Sequence, residues 1–219
     1  MRFALTDDQV AMRDAVRALL AKEPPDAAAT FDALVEMGVT SILVPEGDGG
    51  LGMDALTAVV VLEQAGYAGV TFPVIAEVMG DDEERLALGA AAQLLGLGQR
   101  MLDLTVDHVQ QREQFGVPIG SFQAVKHHLA NALKELAFAR PVVYRAGWAI
   151  TPTNVSMAKA MASDAASFAA RQALQCHGAI GYTDEHVLHR YLRQTWTLAR
   201  TFGDAAWHRE RIAHRLEIL

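Results

Sequence analysis

The chain has 219 residues, 51% of them hydrophobic, with 19 Lys+Arg against 26 Asp+Glu and a formal net charge of −7. This excludes a disordered chain, which needs low hydrophobicity and high charge, and it lacks the basic footprint of a nucleic-acid binder. The single Cys176 rules out an internal disulfide and points to a reducing, cytoplasmic setting, and no membrane partner is expected, because no apolar run reaches the roughly 18 residues that span a bilayer.

The opening MRFALTDDQ carries acids where an export signal needs an apolar core, so none is expected. Thr6 and Gln9 stand at capping-box spacing ahead of a helix in which Val10, Met12, Val16, Leu19 and Leu20 recur, and Pro24-Pro25 is expected to stop it. A second helix is expected over 28–37, ended by Gly38 as a left-handed cap. Val39 to Val44 is too short to classify, and the glycines at 47, 49, 50 and 52 mark a tight loop. Residues 54–66 read as a helix apolar almost all round, hence buried.

Residues 69–80 read as irregular, with Pro73 and Gly80 as breaks. The acidic run Asp81 to Glu84 opens a long helix over 82–111, and further helices are expected over 121–149, 155–176 and 185–199. A short terminal helix follows the turn at Phe202-Gly203-Asp204. No stretch alternates with period two, so the chain is read as all-α, a bundle of antiparallel helices. A boundary near Gly80 separates an N-terminal helical unit (1–80) from a C-terminal bundle (81–219).

Two turns offer ligand chemistry. Arg112-Glu113-Gln114-Phe115-Gly116, running on to Phe122-Gln123, sets a fixed cation, two amides and backbone N–H groups before a helix, a set that suits a phosphate or pyrophosphate. A plain helix turn with a surface arginine has the same local pattern. The second, Gln175 to Thr183, is rich in glycine, which permits close backbone approach to a ligand and equally suits a simple interhelix turn. The eight histidines show no metal signature: His186 and His189 are three apart on one expected helix, but no Glu or Cys completes a set. His208 and His214 are read as solvated, and Trp148, Trp196 and Trp207 as core or interface residues. Cys176 has no base partner.

Taken together, Arg112 to Gly116, Phe122-Gln123 and Gln175 to Thr183 resemble, in order and spacing, the C-terminal half of an acyl-CoA dehydrogenase. Leu43 to Glu46, Gly49 to Gly52 and Leu62 to Gly66 resemble the N-terminal helical domain of that family, so the likeness covers nearly the whole chain. The resemblance implies an FAD flavoprotein that removes two hydrogens across the α,β bond of an acyl-CoA thioester. It implies a helical domain and an oligomerising four-helix bundle whose Arg-x-x-Phe-Gly turn holds the FAD of a neighbouring subunit. By this likeness Arg112 pairs with the pyrophosphate, Gln114, Phe115 and Gln123 line the adenosine side, and Gln175 and Gly178 contact FAD from the second loop.

Three departures shape the expectation. The family's central β-domain is missing, since residues 72–80 lead straight into the first bundle helix. The family's catalytic glutamate corresponds to Phe202, which accepts no proton. The alternative base position used by some relatives falls on Leu86, two residues from Glu84 and about 200° from it around a helix, and a shifted register would make Glu84 the candidate base. Asp204, Ala206 and Ala179 also depart from the usual residues of the two loops. Some bacterial members acting on steroid side-chain CoA thioesters pair a subunit that carries the base with one that lacks it but helps to hold FAD, and this sequence resembles the second kind. The resemblance implies a partner dehydrogenase subunit, an acyl-CoA substrate and oligomerisation through the bundle. The alternative is an assembly protein that binds no flavin.

Overall fold

The computed structural model describes residues 4–21, 27–70 and 74–217. The expected helix start at Thr6 is present: the Gln9 N–H donates to Thr6 Oγ1 (3.3 Å), the Thr6 N–H donates to Gln9 Oε1 (3.0 Å), and α1 runs Asp7–Leu20. The expected stops at Pro24-Pro25 and Pro73 lie outside the described residues. Helix α2 (Ala27–Glu36) is followed by Gly38 in the left-handed region and by single 3-10 turns at Val39–Ser41 and Glu46–Asp48. Helix α3 (Ala55–Ala68), capped by Asp54, is buried at every position from Thr57 to Gly66.

The stretch read as irregular contains a further helix, α4 (Val74–Met79). Six residues are too few to show a period, but Val74, Ile75, Val78 and Met79 form one stripe that the tertiary fold buries. Helix α5 (Glu83–Gln111) starts at its cap Asp82. A two-stranded antiparallel ribbon, β1 (Glu113–Gln114) and β2 (Val117–Pro118), turns the chain into α6 (Gln123–Trp148). It is the only sheet among the described residues, so the all-α class holds.

Helix α7 (Pro152–His177) begins three residues before the expected point. Pro152 occupies its first turn, where a missing N–H costs nothing, and Thr151 caps it. Helices α8 (Leu188–Leu198) and α9 (Ala205–Arg215) complete the chain, the latter capped by Asp204. No helix among the described residues is long and apolar enough to cross a membrane.

One core runs from Val16 and Leu34 through α3 and α5 to Ala173 and Leu198. Its tightest join is between α3 and α5. A Cβ at Gly96 would overlap the backbone of Glu63 and Tyr67, and one at Gly66 would overlap the backbone of Gln93. The two helices therefore touch backbone to backbone, and only glycine fits at either contact. Alanine has the better intrinsic helix propensity by about 1 kcal/mol, but overpacking a rigid backbone contact costs about 1–3 kcal/mol or more. The Gly96→Ala variant is therefore expected to lose about 1–2 kcal/mol net in urea unfolding; equal or higher stability would show that the helices separate without cost.

Candidate functional site

Helices α5, α6 and α7 pack side by side, so the C-termini of α5 and α7 and the N-terminus of α6 share one end of the bundle. At that end Arg112 leaves α5, its N–H donating to the His108 carbonyl (2.9 Å), and its own carbonyl accepts from the Ile119 N–H (2.8 Å). The ribbon tip is held by Phe115 at φ 55° and Gly116 at φ 79°, which throws the Phe115 ring outward, 93% exposed and edge-on to Phe122 at 6.3 Å. Phe122 occupies the cap position of α6 and supplies no side-chain hydrogen bond. The first N–H groups of α6 therefore stand uncapped, the arrangement that binds anions at helix starts. Arg112, Gln114, Gln123, Gln175 and Gly178 are all exposed here, and Gly178 takes φ 63°, ψ −138°, a backbone shape open to glycine.

Three histidines clasp the two turns together. His108 from α5 stacks on His177 from α7 with ring centroids 4.2 Å apart, and His186 closes on His177 at 4.6 Å. The His177 Nδ1–H donates to the Ala173 carbonyl (2.8 Å), which leaves its buried Nε2 unpartnered. His186 Nδ1 accepts from the Leu188 N–H (3.2 Å). Because α8 starts only at Leu188, His186 precedes the helix, and the expected His186–His189 helical pair does not form; instead the His189 Nδ1–H donates to the His186 carbonyl (2.8 Å). Among the described residues no group of three or more side chains is arranged to hold a metal. Burial pushes the adjacent Cys176 thiol up, which keeps it unreactive.

The opposite end carries Phe202 and Glu84. Phe202 sits in the left-handed region at φ 58°, unusual for a phenylalanine, and Gly203 follows at φ 89°. A left-handed non-glycine residue costs about 1–3 kcal/mol, so its surroundings must hold it. Two fully buried side chains do so. Lys159 Nζ donates to the carbonyls of Gly203 (2.9 Å) and Ala199 (3.1 Å) and to Ser163 Oγ (3.1 Å). Burial brings its pKa down to about 8, against the pull of Asp204. His208 is buried rather than solvated: its Nε2–H donates to the Phe202 carbonyl (3.0 Å) and its Nδ1 accepts from Ser156 Oγ (3.2 Å). Only the packing of α9 on α7 brings these partners together.

Glu84 is engaged at both oxygens by Arg211 of α9, whose guanidinium lies 5.3 Å from the Trp207 ring centroid. Leu86 packs against the core edge. Beside this end lies a cavity of about 480 Å³ lined by Gln93, Leu97, Leu198 and Thr201, where Gln93 Nε2 is buried without a partner. Trp148, Trp196 and Trp207 are 64%, 44% and 50% exposed, so none is a core residue. The 29 residues of α5 separate Glu84 from Arg112 by about 40 Å at 1.5 Å per residue, so one chain does not bring its two ends into one site.

Comparison with known proteins places this geometry. Residues 79–217 match the sequence model of the acyl-CoA dehydrogenase C-terminal domain, and residues 6–81 that of the acyl-CoA dehydrogenase N-terminal domain. The chain belongs to the acyl-CoA dehydrogenase family. It is 46% identical over 108 residues to the acyl-CoA dehydrogenase IpdE2 of Mycobacterium tuberculosis, covering 49% of this chain and 34% of that protein. To the IpdE2 of Mycolicibacterium smegmatis it is 38% identical over 134 residues, covering 60% and 43%. The chain thus spans less than half the length of these curated relatives. Its fold matches the ChsE4-ChsE5 complex from Mycobacterium tuberculosis with a TM-score of 0.88 at 18% identity, over 100% of both chains.

The histidine clasp makes this end of the bundle sensitive to acid. Burial, reinforced by the other two rings, holds His177 neutral with its pKa lowered to about 4, and burial also lowers those of His108 and His186. The unfolded chain takes up these protons first, near the ordinary value of about 6.5, so the stability they contribute is complete above that pH and is lost as pH falls toward 4. The urea midpoint is expected to drop from pH 7.5 to pH 5, and His177→Phe, which keeps a flat ring in the stack, to show less than half that drop. An unchanged pH profile in the variant would assign the acid sensitivity elsewhere.

Proposed function

We propose that this chain is a subunit without a catalytic base that completes the FAD site of a partner acyl-CoA dehydrogenase subunit, in the α,β-dehydrogenation of an acyl-CoA thioester. The observation that carries this reading is the separation of the two ends: an exposed cation–amide–aromatic turn at one, and at the other Phe202, where the family resemblance puts the catalytic glutamate. A turn that faces outward serves a cofactor held by another chain.

The residues fit the diphosphate and adenosine parts of FAD. Arg112 supplies the cation, the uncapped start of α6 supplies N–H donors, and Gln114, Gln123 and Gln175 supply amides around the open Phe115 ring. Gly178 leaves space for backbone approach, with nothing within 4 Å of a would-be Cβ. FAD, when bound, supplies the hydride acceptor. Removal of the α-proton needs a carboxylate, and neither expected position offers a free one: Phe202 has no proton acceptor, and both Glu84 oxygens are taken by Arg211. The partner subunit therefore carries the base. A steroid side-chain CoA thioester is the substrate class suggested by the two-subunit dehydrogenases the sequence resembles, and the cytoplasm is the compartment that fits a lone, partly buried thiol. The division into 1–80 and 81–219 assigns the cofactor turn and oligomerisation to the second unit.

Co-expression with a base-bearing partner is expected to give a yellow complex. Arg112→Ala removes a charge-assisted contact of about 1.5–3 kcal/mol, so it is expected to weaken FAD retention roughly 10- to 100-fold, read by flavin absorbance after dialysis. The chain alone is expected to show no acyl-CoA dehydrogenation. Activity from the purified chain that disappears in Glu84→Gln would overturn the base-less reading, and a colourless complex after FAD addition would favour the assembly role.

A further inference from the structure

A second polar site lies away from both ends, where the C-terminal half of α1 meets α3, α5 and the start of α8. It is a cleft of about 410 Å³ lined by Arg17, Gln64, Tyr67, Arg100, Arg190 and Tyr191. It adjoins a second hollow of about 480 Å³ that shares Arg17, Gln64 and Tyr67 and adds Arg13 and Arg140. Five arginines thus converge in a chain whose formal net charge is −7.

The carboxylates in these walls, Glu63 and Asp103, are already engaged. Glu63 accepts from Arg140 Nε (2.9 Å) and from the Tyr144 hydroxyl (2.7 Å), and Asp103 accepts from the Tyr67 hydroxyl (2.8 Å) and Gln99 Nε2 (2.9 Å). Arg100 lies over the Tyr67 ring at 5.4 Å and bonds the Tyr67 and Tyr191 side chains. Arg17 donates through Nε to Gln64 Oε1 (3.0 Å), and Gln64 is only 6% exposed, so a buried amide aims the rest of that guanidinium. Among the described residues no carboxylate lies within ion-pair distance of Arg17 or Arg190, which come from opposite walls, α1 and α8. Arg140 pairs with Glu63 and Arg13 with Asp14 (2.8 Å), which leaves Arg17 and Arg190: two guanidinium groups facing one cleft repel one another, and an anion that bridges them removes that cost.

We propose that this cleft binds a phosphoryl group, carried by a small organic phosphate. A doubly charged tetrahedral anion accepts from more than one guanidinium at once, where a single carboxylate neutralises only one. Leu20, Ala68 and Val187 in the same cleft give an organic body an apolar wall, in a space several times larger than phosphate itself needs. The site does not depend on the flavin reading, because it shares no residue with the Arg112 turn.

Isothermal titration of the full chain at low ionic strength, with inorganic phosphate and with AMP in separate runs, tests this. Saturable one-to-one binding is expected, weakened tenfold or more by Arg17→Gln and by Arg190→Gln, two exposed positions, with unchanged melting midpoints. It is expected to survive Arg112→Ala and Arg215→Gln. Tighter binding of AMP than of phosphate would show that the apolar wall contributes, and equal binding that the phosphoryl group alone is read. Absence of saturable binding in both runs overturns the proposal. So does equal loss in Arg215→Gln, which marks nonspecific charge attraction, or loss in Arg112→Ala with both cleft variants intact, which moves the site to the cofactor turn.

Discussion

The contact between α3 and α5 sets the rest of the architecture. Gly66 and Gly96 let the two backbones meet, and at that distance α3 has no face left for solvent: Val59 to Leu62 and Ala65 are all inside. Burial of such a helix stabilises by roughly 1.5–3 kcal/mol per large apolar side chain, and it fixes α5 as the shared wall of everything that follows. On its other faces α5 meets α6, α7 and α8, so the N-terminal helices and the bundle have one core. The polar residues α3 carries inward are accommodated by specific partners, Glu63 by Arg140 and Tyr144, and Gln64 by Arg17. The Glu63 bonds fix the rotation of α3 against α6, since an unpaired buried carboxylate would be far more costly than any shift in packing.

A rigid α5 also holds the molecule's two chemical ends apart. At one end the chain leaves polar and aromatic groups exposed on a ribbon whose geometry rests on two left-handed residues. At the other end it does the opposite. It closes the loop around Phe202 with two buried side chains, Lys159 and His208, that bond the carbonyls of Ala199, Gly203 and Phe202. Strain at Phe202 persists because three hydrogen bonds from Lys159 and His208 hold the carbonyls around it, and Gly203 is required there because a Cβ would meet the Trp207 ring at 2.6 Å.

Much of the fold was legible in the sequence because its determinants are local. The capping box at Thr6 and Gln9, the acidic start at Asp82 to Glu84, the left-handed cap at Gly38 and the all-round apolar run of α3 each act within a few residues, so periodicity and caps found them. The misreadings share a cause. Helix α4 has one buried stripe too short to show a period, α7 starts on a proline that reads as a break until its position in the first turn is known, and His208 looks solvated among arginines until α9 packs on α7.

By itself the sequence determined the all-α class, the order of the helices, and the two turns with their cation, amides and glycines, since those depend on which residues neighbour which along the chain. Only the tertiary structure decided what the turns can join and what fills the interior. The histidine clasp unites residues 108, 177 and 186, the Phe202 loop is held by residues 159 and 208, and the arginine cleft gathers residues 17, 100 and 190 from three helices. Distances of that kind are set by the α3–α5 contact and the packing of α7, α8 and α9 around it. Charge pairing and desolvation act through space, so no spacing along the chain records them.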